Sequence, residues 1–340
     1  MSSSALGGGG IASRSRSATA LLGGLTSLLL VSLILSLGVG AVTLPPAQVV
    51  AALWAKAGGS ATVAPQTLTI VWDLRLARAL LAVIIGAALA TAGAAYQAVF
   101  RNPLADPFVI GASGGAALGA TLAIVTGLPA VLPAAFAGAV AAVALVYVLA
   151  QAGGRPTAVN LLLAGAALST LLSSAVSLVM FLSDRNLHEI FAWLMGGLSG
   201  RSWTHLATAV PVVLAGIIAL WVLARPLDAL ACGEESAQSL GLNLARARLA
   251  IVIAATLATA AAVAAGGIIG FVGLIVPHIA RRLGGGSHGR LIPLSALLGG
   301  LLVLLADDLA RTVMAPVELP VGILMALIGA PFFLWLLKRG

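Results

Sequence analysis

Long uncharged runs, interrupted by single or paired charges and by Gly/Pro clusters, set the pattern of this chain. Apolar stretches fall near residues 18–42, 79–99, 108–126, 131–150, 157–183, 203–224, 249–265, 267–280, 293–312 and 319–337. Most approach the ~20 residues that a helix needs to cross a ~30 Å hydrocarbon core, so about ten membrane spans are expected. Two boundaries rest on breakers: Gly127-Leu128-Pro129 with Pro133 divides one long run, and Gly266-Gly267 divides another. The stretch at 267–280 is short and carries Pro277. Polar links at 45–72, 184–202 and 225–248 have room for short surface helices. The Ser/Gly-rich residues 1–17 read as a disordered cytoplasmic tail, which leaves 18–340 as a single transmembrane domain.

Composition turns this pattern into an all-α, polytopic membrane protein. Of 340 residues, 61% are hydrophobic and 8% charged. A charge at mid-bilayer costs about 2.5–3.5 kcal/mol on insertion scales, so the 18 basic and 10 acidic side chains mark where the chain meets water. The net charge of +8 does not indicate nucleic-acid binding, because no basic cluster is interleaved with aromatic residues on which bases could stack. It follows the membrane instead. With a cytoplasmic N-terminus, Arg14, Arg16, Arg101, Arg155, Arg225, Arg246, Arg248, Arg281, Arg282, Arg290, Lys338 and Arg339 lie inside. Lys56, Arg75, Arg78, Arg185, Arg201 and Arg311 lie outside, so the positive-inside bias puts both termini in the cytoplasm. Arg14 and Arg16 ahead of an apolar run resemble a secretory signal, but that run is too long, and an uncleaved first span is expected.

Candidate chemistry is sparse. The lone Cys232 permits no internal disulfide, and His188, His205, His278 and His288 have no metal-ligand spacing. No G-x-x-x-x-G-K-[ST] string is present, so nothing in the chain cradles ATP phosphates. Gly111-Ala112-Ser113-Gly114 admits two readings: the nucleophile Ser113 of an intramembrane serine protease, or small residues that let helices approach closely. No period of 20–50 residues appears, which excludes a solenoid. The halves echo each other weakly: Ala77-Arg78-Ala79-Leu80 and Ala247-Arg248-Leu249-Ala250 each open an Ala-rich helix followed by a Gly/Pro-broken segment. With five spans per half the copies would be inverted, and paired broken segments point to a transport pathway. A gradient-driven secondary transporter is one reading of that pattern.

Several longer strings decide the matter further. They are Arg75-Leu76-Ala77-Arg78; Gln97 followed by Arg101-Asn102-Pro103-Leu104-Ala105-Asp106-Pro107; and Gly233-Glu234-Glu235 with Leu240-Gly241. Further on come Gly270-Phe271-Val272-Gly273-Leu274-Ile275-Val276-Pro277-His278 with Arg281, Ala306-Asp307 with Ala310-Arg311, Leu319-Pro320-Val321-Gly322, and Gly329-Ala330-Pro331-Phe332. In order and spacing, over about residues 70–337, these resemble the permease subunits of ABC importers for ferric siderophores, haem and cobalamin.

The resemblance implies a ten-helix subunit of the bacterial inner membrane that forms a homodimer around a central pathway. It further implies two copies of a cytoplasmic ATP-binding subunit, which hold the ATP and Mg, and a periplasmic substrate-binding protein. The chain itself would bind no cofactor and would be no enzyme. By the same resemblance Arg75, Arg78 and Arg311 receive carboxylates of the binding protein, although Ala77 replaces a common Pro. The segment 226–248 couples to the ATPase through Asp228, Glu234, Glu235, Gln238, Leu240 and Gly241, with Cys232 where Leu is usual. Asn102, Leu104, Ala158 and Val159 correspond to a cytoplasmic gate, apolar at its second position and so closing by packing or dewetting. Ser169, Ser173 and Ser177 are candidate pathway contacts on the fifth span. No residue distinguishes one chelate from another.

Overall fold

The computed structural model describes residues 9–40, 42–151 and 157–339. Helices and their links account for all of them, with no strand among the described residues. Ten helices follow the ten expected spans: α1 (Gly9–Gly38), α4 (Ala77–Val99), α5 (Ala112–Val125), α6 (Val131–Gln151), α7 (Ala158–Leu182), α9 (Trp203–Val222), α12 (Leu244–Gly266), α13 (Val272–Gly284), α14 (His288–Thr312) and α15 (Val321–Arg339). Short helices occupy the three polar links: α2 (Pro46–Lys56) and α3 (Pro65–Leu68), α8 (Leu187–Leu194), and the pair α10 (Ala224–Ala231) and α11 (Glu234–Ser239).

Among the described residues, seven helical segments are long and apolar enough to cross a bilayer. One is continuous from Pro65 to Val99, because a π-helical stretch at Thr69–Leu76 joins α3 to α4 without a break. α5 and α13 are shorter, at 14 and 13 residues. One expectation needs correcting. Residues 267–271 are not helical; the span expected at 267–280 is the helix Val272–Gly284, which ends on Arg281 and Arg282. Residues 1–8 of the expected tail lie outside the described residues, and α1 already begins at Gly9.

α4 and α12, each 23 residues long, form the centre. Both are Ala-rich and buried on nearly every side, as expected of helices apolar all round. Lipid tails are as apolar as Leu, so association here depends on close packing, which small residues allow. A Cβ on Gly86 would overlap the Gly299 carbonyl of α14, and one on Gly93 would overlap the Gly273 carbonyl of α13. α1 and α7 lie at the periphery, with exposed Leu30, Leu35, Leu163 and Phe181.

The two broken segments share one construction. α4 and α12 are each followed by a link whose last residue is left-handed, Gly111 (φ 87°) and Phe271 (φ 67°), and then by a short helix. Pro103 and Pro107 forbid helix in the first link, and Gly267 (φ 72°) ends α12 before the second.

Candidate functional site

At the outer end, as the charge bias assigns it, the arginines of the expected docking site are buried and occupied. Arg75, Arg78 and Arg311 expose 8%, 8% and 5% of their surface. Arg75 lies on the π-helical stretch, where its guanidinium donates to the carbonyls of Leu37 (2.8 Å) and Val42 at the C-terminal end of α1. Arg311 donates to Val39 O (3.1 Å) and Ser36 Oγ (3.0 Å) and pairs with Asp307 and Asp308. Carbonyls left open at the end of α1 thus find cationic donors, the favourable sign for a helix C-terminus. Arg78 lies against the fully buried Asp307, with Nη2 to Oδ1 at 2.8 Å, and its Nη1 reaches Glu318 at 2.7 Å. Burial opposes ionisation of Glu318, but the Arg78 contacts outweigh it and hold its carboxyl below the usual range.

A cavity of about 390 Å³ opens beside this network, lined by Arg78, Glu189, Trp193, Arg201 and Glu318 among others. Arg201 forms no ion pair among the described residues, and its Nε is buried without a hydrogen-bond partner. Trp193 Nε1 is likewise unpartnered, and burial lowers the Arg201 pKa. A desolvated charge without a counter-ion is costly, so the Arg201 guanidinium can receive an incoming anion, beside the carboxylates of Glu189 and Glu318 that line the same cavity. Below it, three backbone segments meet. Gly197 N donates to Gly266 O (2.8 Å) and Gly322 N to Gly196 O (3.2 Å), and a Cβ on Gly322 would overlap the carbonyls of Met195 and Ile268.

Toward the basic end of the bundle the broken segments are locked together. Gln97 of α4 donates to Gly273 O (3.0 Å) and accepts from Arg281 Nη1 (2.6 Å). Pro107 lies against Gly273, where a Cβ would come 2.5 Å from its Cδ. Asp106 Oδ1 accepts from Phe108 N (2.9 Å), and burial pushes the Asp106 carboxyl up to about 6. At the start of the same link, Asn102 Oδ1 accepts from Leu104 N (2.9 Å), a turn in which the Asn side chain replaces a backbone acceptor. The other expected gate residues open α7. Thr157 Oγ1 caps the helix by accepting from Asn160 N (3.1 Å), Ala158 is half-buried and Val159 is exposed.

On the basic face, α10 and α11 form an elbow around Gly233, whose φ of 117° suits glycine. Its acidic residues divide by role. Asp228 Oδ1 accepts from His288 N (2.8 Å) and contacts His288 Nδ1 (2.6 Å), so it caps the start of α14. Glu234 pairs with the buried Arg248 at 2.7 Å. Glu235, Gln238 and Leu240 point outward, Leu240 being 76% exposed. Gly241 (φ 78°) ends α11 in a Schellman motif, with Leu242 N bonded to Ala237 O (3.0 Å) and Gly241 N to Gln238 O (2.8 Å). The elbow and the gate loop share one apolar cluster, in which Leu227 and Leu230 of α10 join Phe100, Ala105, Ile110 and Leu161.

Ser173 and Ser177 lie on an exposed face of α7 beside Thr170 and Ser174, whereas Ser169 is turned toward Gly111 and Gly114. Ser113 has no hydrogen bond to a His or acidic side chain among the described residues. The glycines around it serve packing: a Cβ on Gly115 would overlap the Gly138 carbonyl of α6, and one on Gly119 the Ala134 carbonyl. Arg201 and Trp193 are the residues that reading the sequence alone missed. The only cue was a single Arg in an outer link.

A helical bundle with two broken segments packed against its central helices, an outer end held by ion pairs and an exposed elbow on its basic face defines a polytopic transport permease. The chain belongs to the FecCD transport family, which it matches over residues 28–339. The cobalamin import system permease protein BtuC of Halobacterium salinarum is 45% identical over 272 residues, covering 79% of this chain and 73% of that protein. The hemin transport system permease protein HmuU of Yersinia pestis is 39% identical over 279 residues, covering 79% and 83%. A solved structure of a metal-chelate type ABC transporter in an inward-facing conformation superposes with a TM-score of 0.83 at 34% identity, covering 95% of this chain and all of that one.

Proposed function

We propose that this chain is the membrane-spanning subunit of an ATP-driven importer for a bulky metal chelate, working as a homodimer in the inner membrane with both termini in the cytoplasm. Relatives named for cobalamin and hemin, and a metal-chelate type neighbour, support the substrate class without choosing a chelate. The observation that carries the reading is the elbow. Asp228 and Glu234 are held internally, which leaves Glu235, Gln238 and Leu240 as a stiff, exposed tip. An amphipathic tip of this kind suits insertion into a groove of a separate ATPase, whose Mg and ATP would supply the energy. Because α10 packs in one cluster with the gate loop and the start of α7, movement of the tip is passed to Asn102, Leu104, Ala158 and Val159. Two copies related by a two-fold axis would face each other through the exposed sides of α7 and α15, lining a path with Ser173 and Ser177.

Leu240→Asp tests this reading. In the complex reconstituted with its ATPase, uptake is expected to fall at least tenfold while thermal stability stays within about 1 °C, since an exposed substitution costs little folding energy. Uptake at the unaltered rate would remove the elbow from the power path.

At the outer end, a periplasmic binding protein would place a carboxylate in the cavity between Arg78 and Arg201, the second of which has no counter-ion among the described residues. Planar guanidinium and carboxylate groups pair bidentately there. In this reading Arg75 and Arg311 act indirectly, by fixing α1 and α14. Arg201→Gln is expected to weaken binding-protein affinity about tenfold and to flatten its salt dependence, read by titration across a salt series. An unchanged affinity would return docking to other residues.

A further inference from the structure

A second concavity lies at the opposite end of the bundle, between α1, α9 and α14, and nothing in the transport reading uses it. It measures about 440 Å³ and is lined by Leu22, Thr26, Ile218, Trp221, Pro293 and Ala296 among others. Its walls ask for no polar partner: Thr26 Oγ1 donates to Leu22 O (2.8 Å) and Trp221 Nε1 donates to Gly289 O (3.0 Å). The groove exists because Ala296, one turn beyond Pro293, is too small to reach the exposed faces of Ile218 and Trp221. In a membrane-spanning bundle such a groove faces hydrocarbon and is filled by it.

On the side of the basic face two arginines stand beyond its mouth, and Asp228, the carboxylate of α10, is taken up by Ser287 and His288. The Trp221–Gly289 hydrogen bond ties the end of α9 to the start of α14. Arg225 lies at the start of α10, across the turn at Leu223 from Trp221, and Arg290 adjoins Gly289 and precedes Pro293 by three within α14, the spacing that keeps residues on one side of a helix. Both arginines are exposed, and neither has an ion pair among the described residues. We infer that this groove is a binding site for an anionic phospholipid of the cytoplasmic leaflet, with an acyl chain against Ala296 and Ile218 and the phosphate held by Arg225 and Arg290. Apolar walls alone would take any lipid; the two unpaired guanidiniums select a negative headgroup, as basic pockets between helices do.

Native mass spectrometry of the delipidated full chain, titrated with phosphatidylglycerol or with phosphatidylcholine of identical acyl chains, tests the assignment. Wild type is expected to retain phosphatidylglycerol on the order of tenfold more tightly. Arg225→Gln with Arg290→Gln should abolish that preference while leaving the weaker, shared retention. Arg282→Gln, an equally exposed change at the end of α13, should keep the preference. Ala296→Phe, which fills the groove, should reduce retention of both lipids. Equal retention of the two lipids by wild type, a preference that survives the double substitution, or one that Arg282→Gln removes as well would overturn the site.

Discussion

Asp307→Ala is expected to lower the thermal midpoint by well over 5 °C and to remove most of the folded protein recovered in detergent. Asp307 is fully buried and lies between Arg78, whose Nε donates at 3.1 and 3.0 Å and Nη2 at 2.8 Å, and Arg311, whose Nε stands 3.2 Å away. Removing the carboxylate takes the fully buried counter-ion from two guanidiniums at once, leaving Arg78 with Glu318 and Arg311 with Asp308 to offset part of the loss. Breaking a buried pair in this way costs roughly 3–5 kcal/mol, against a native stability of order 5–15 kcal/mol. Asp307→Asn keeps the shape and one acceptor but not the charge, so it should fall nearly as far. Asp73→Ala, exposed on the π-helical stretch, should change nothing measurable. A thermal shift assay on the three variants decides the point; Asp307→Ala within about 1 °C of wild type would mean that the network is ornamental.

Gly93→Val should have a comparable effect on stability and a complete effect on transport. The obstacle it meets is the Gly273 carbonyl, with the Gly273 Cα at 2.5 Å, so no side chain can turn aside. Overpacking typically costs about 1–3 kcal/mol, and a backbone obstacle puts this case at the upper end or beyond. α13 would have to withdraw from α4, and with it would go the Gln97 bonds to Gly273 and Arg281. Gly24→Ala is the matched control, because a Cβ at Gly24 of α1 meets nothing within 4 Å. Uptake and thermal midpoint measured together for both variants give the answer: loss at Gly93 with none at Gly24 is the expected pair, and a functional Gly93→Val would refute the contact.

Spans were legible because charges and Gly/Pro clusters punctuate them, and the short surface helices because polar links leave room for them. The stretch 267–280 was misplaced for a physical reason. Apolar composition reports burial rather than helix, and the left-handed Phe271 delays α13 to Val272. Site residues were legible as positions and less so as partners. An Arg at a helix end reads alike whether it meets water or a carboxylate 229 residues away, as Arg78 meets Asp307. Asp228 and Glu234 looked like docking charges, but the His288 backbone that Asp228 caps lies 60 residues off and leaves no local pattern. Leu240 and Gly241 were better marked, since a glycine after a short polar helix announces its own end.

The junction of Gly196, Gly197, Gly266 and Gly322 carries one more consequence. Where main chain rests directly on main chain there are no rotamers to yield, so the links before α9 and α13 and the first turn of α15 have no slip plane between them. They turn as a single hub. A swing of α15 would therefore be felt first at Gly197, on the rim of the outer cavity.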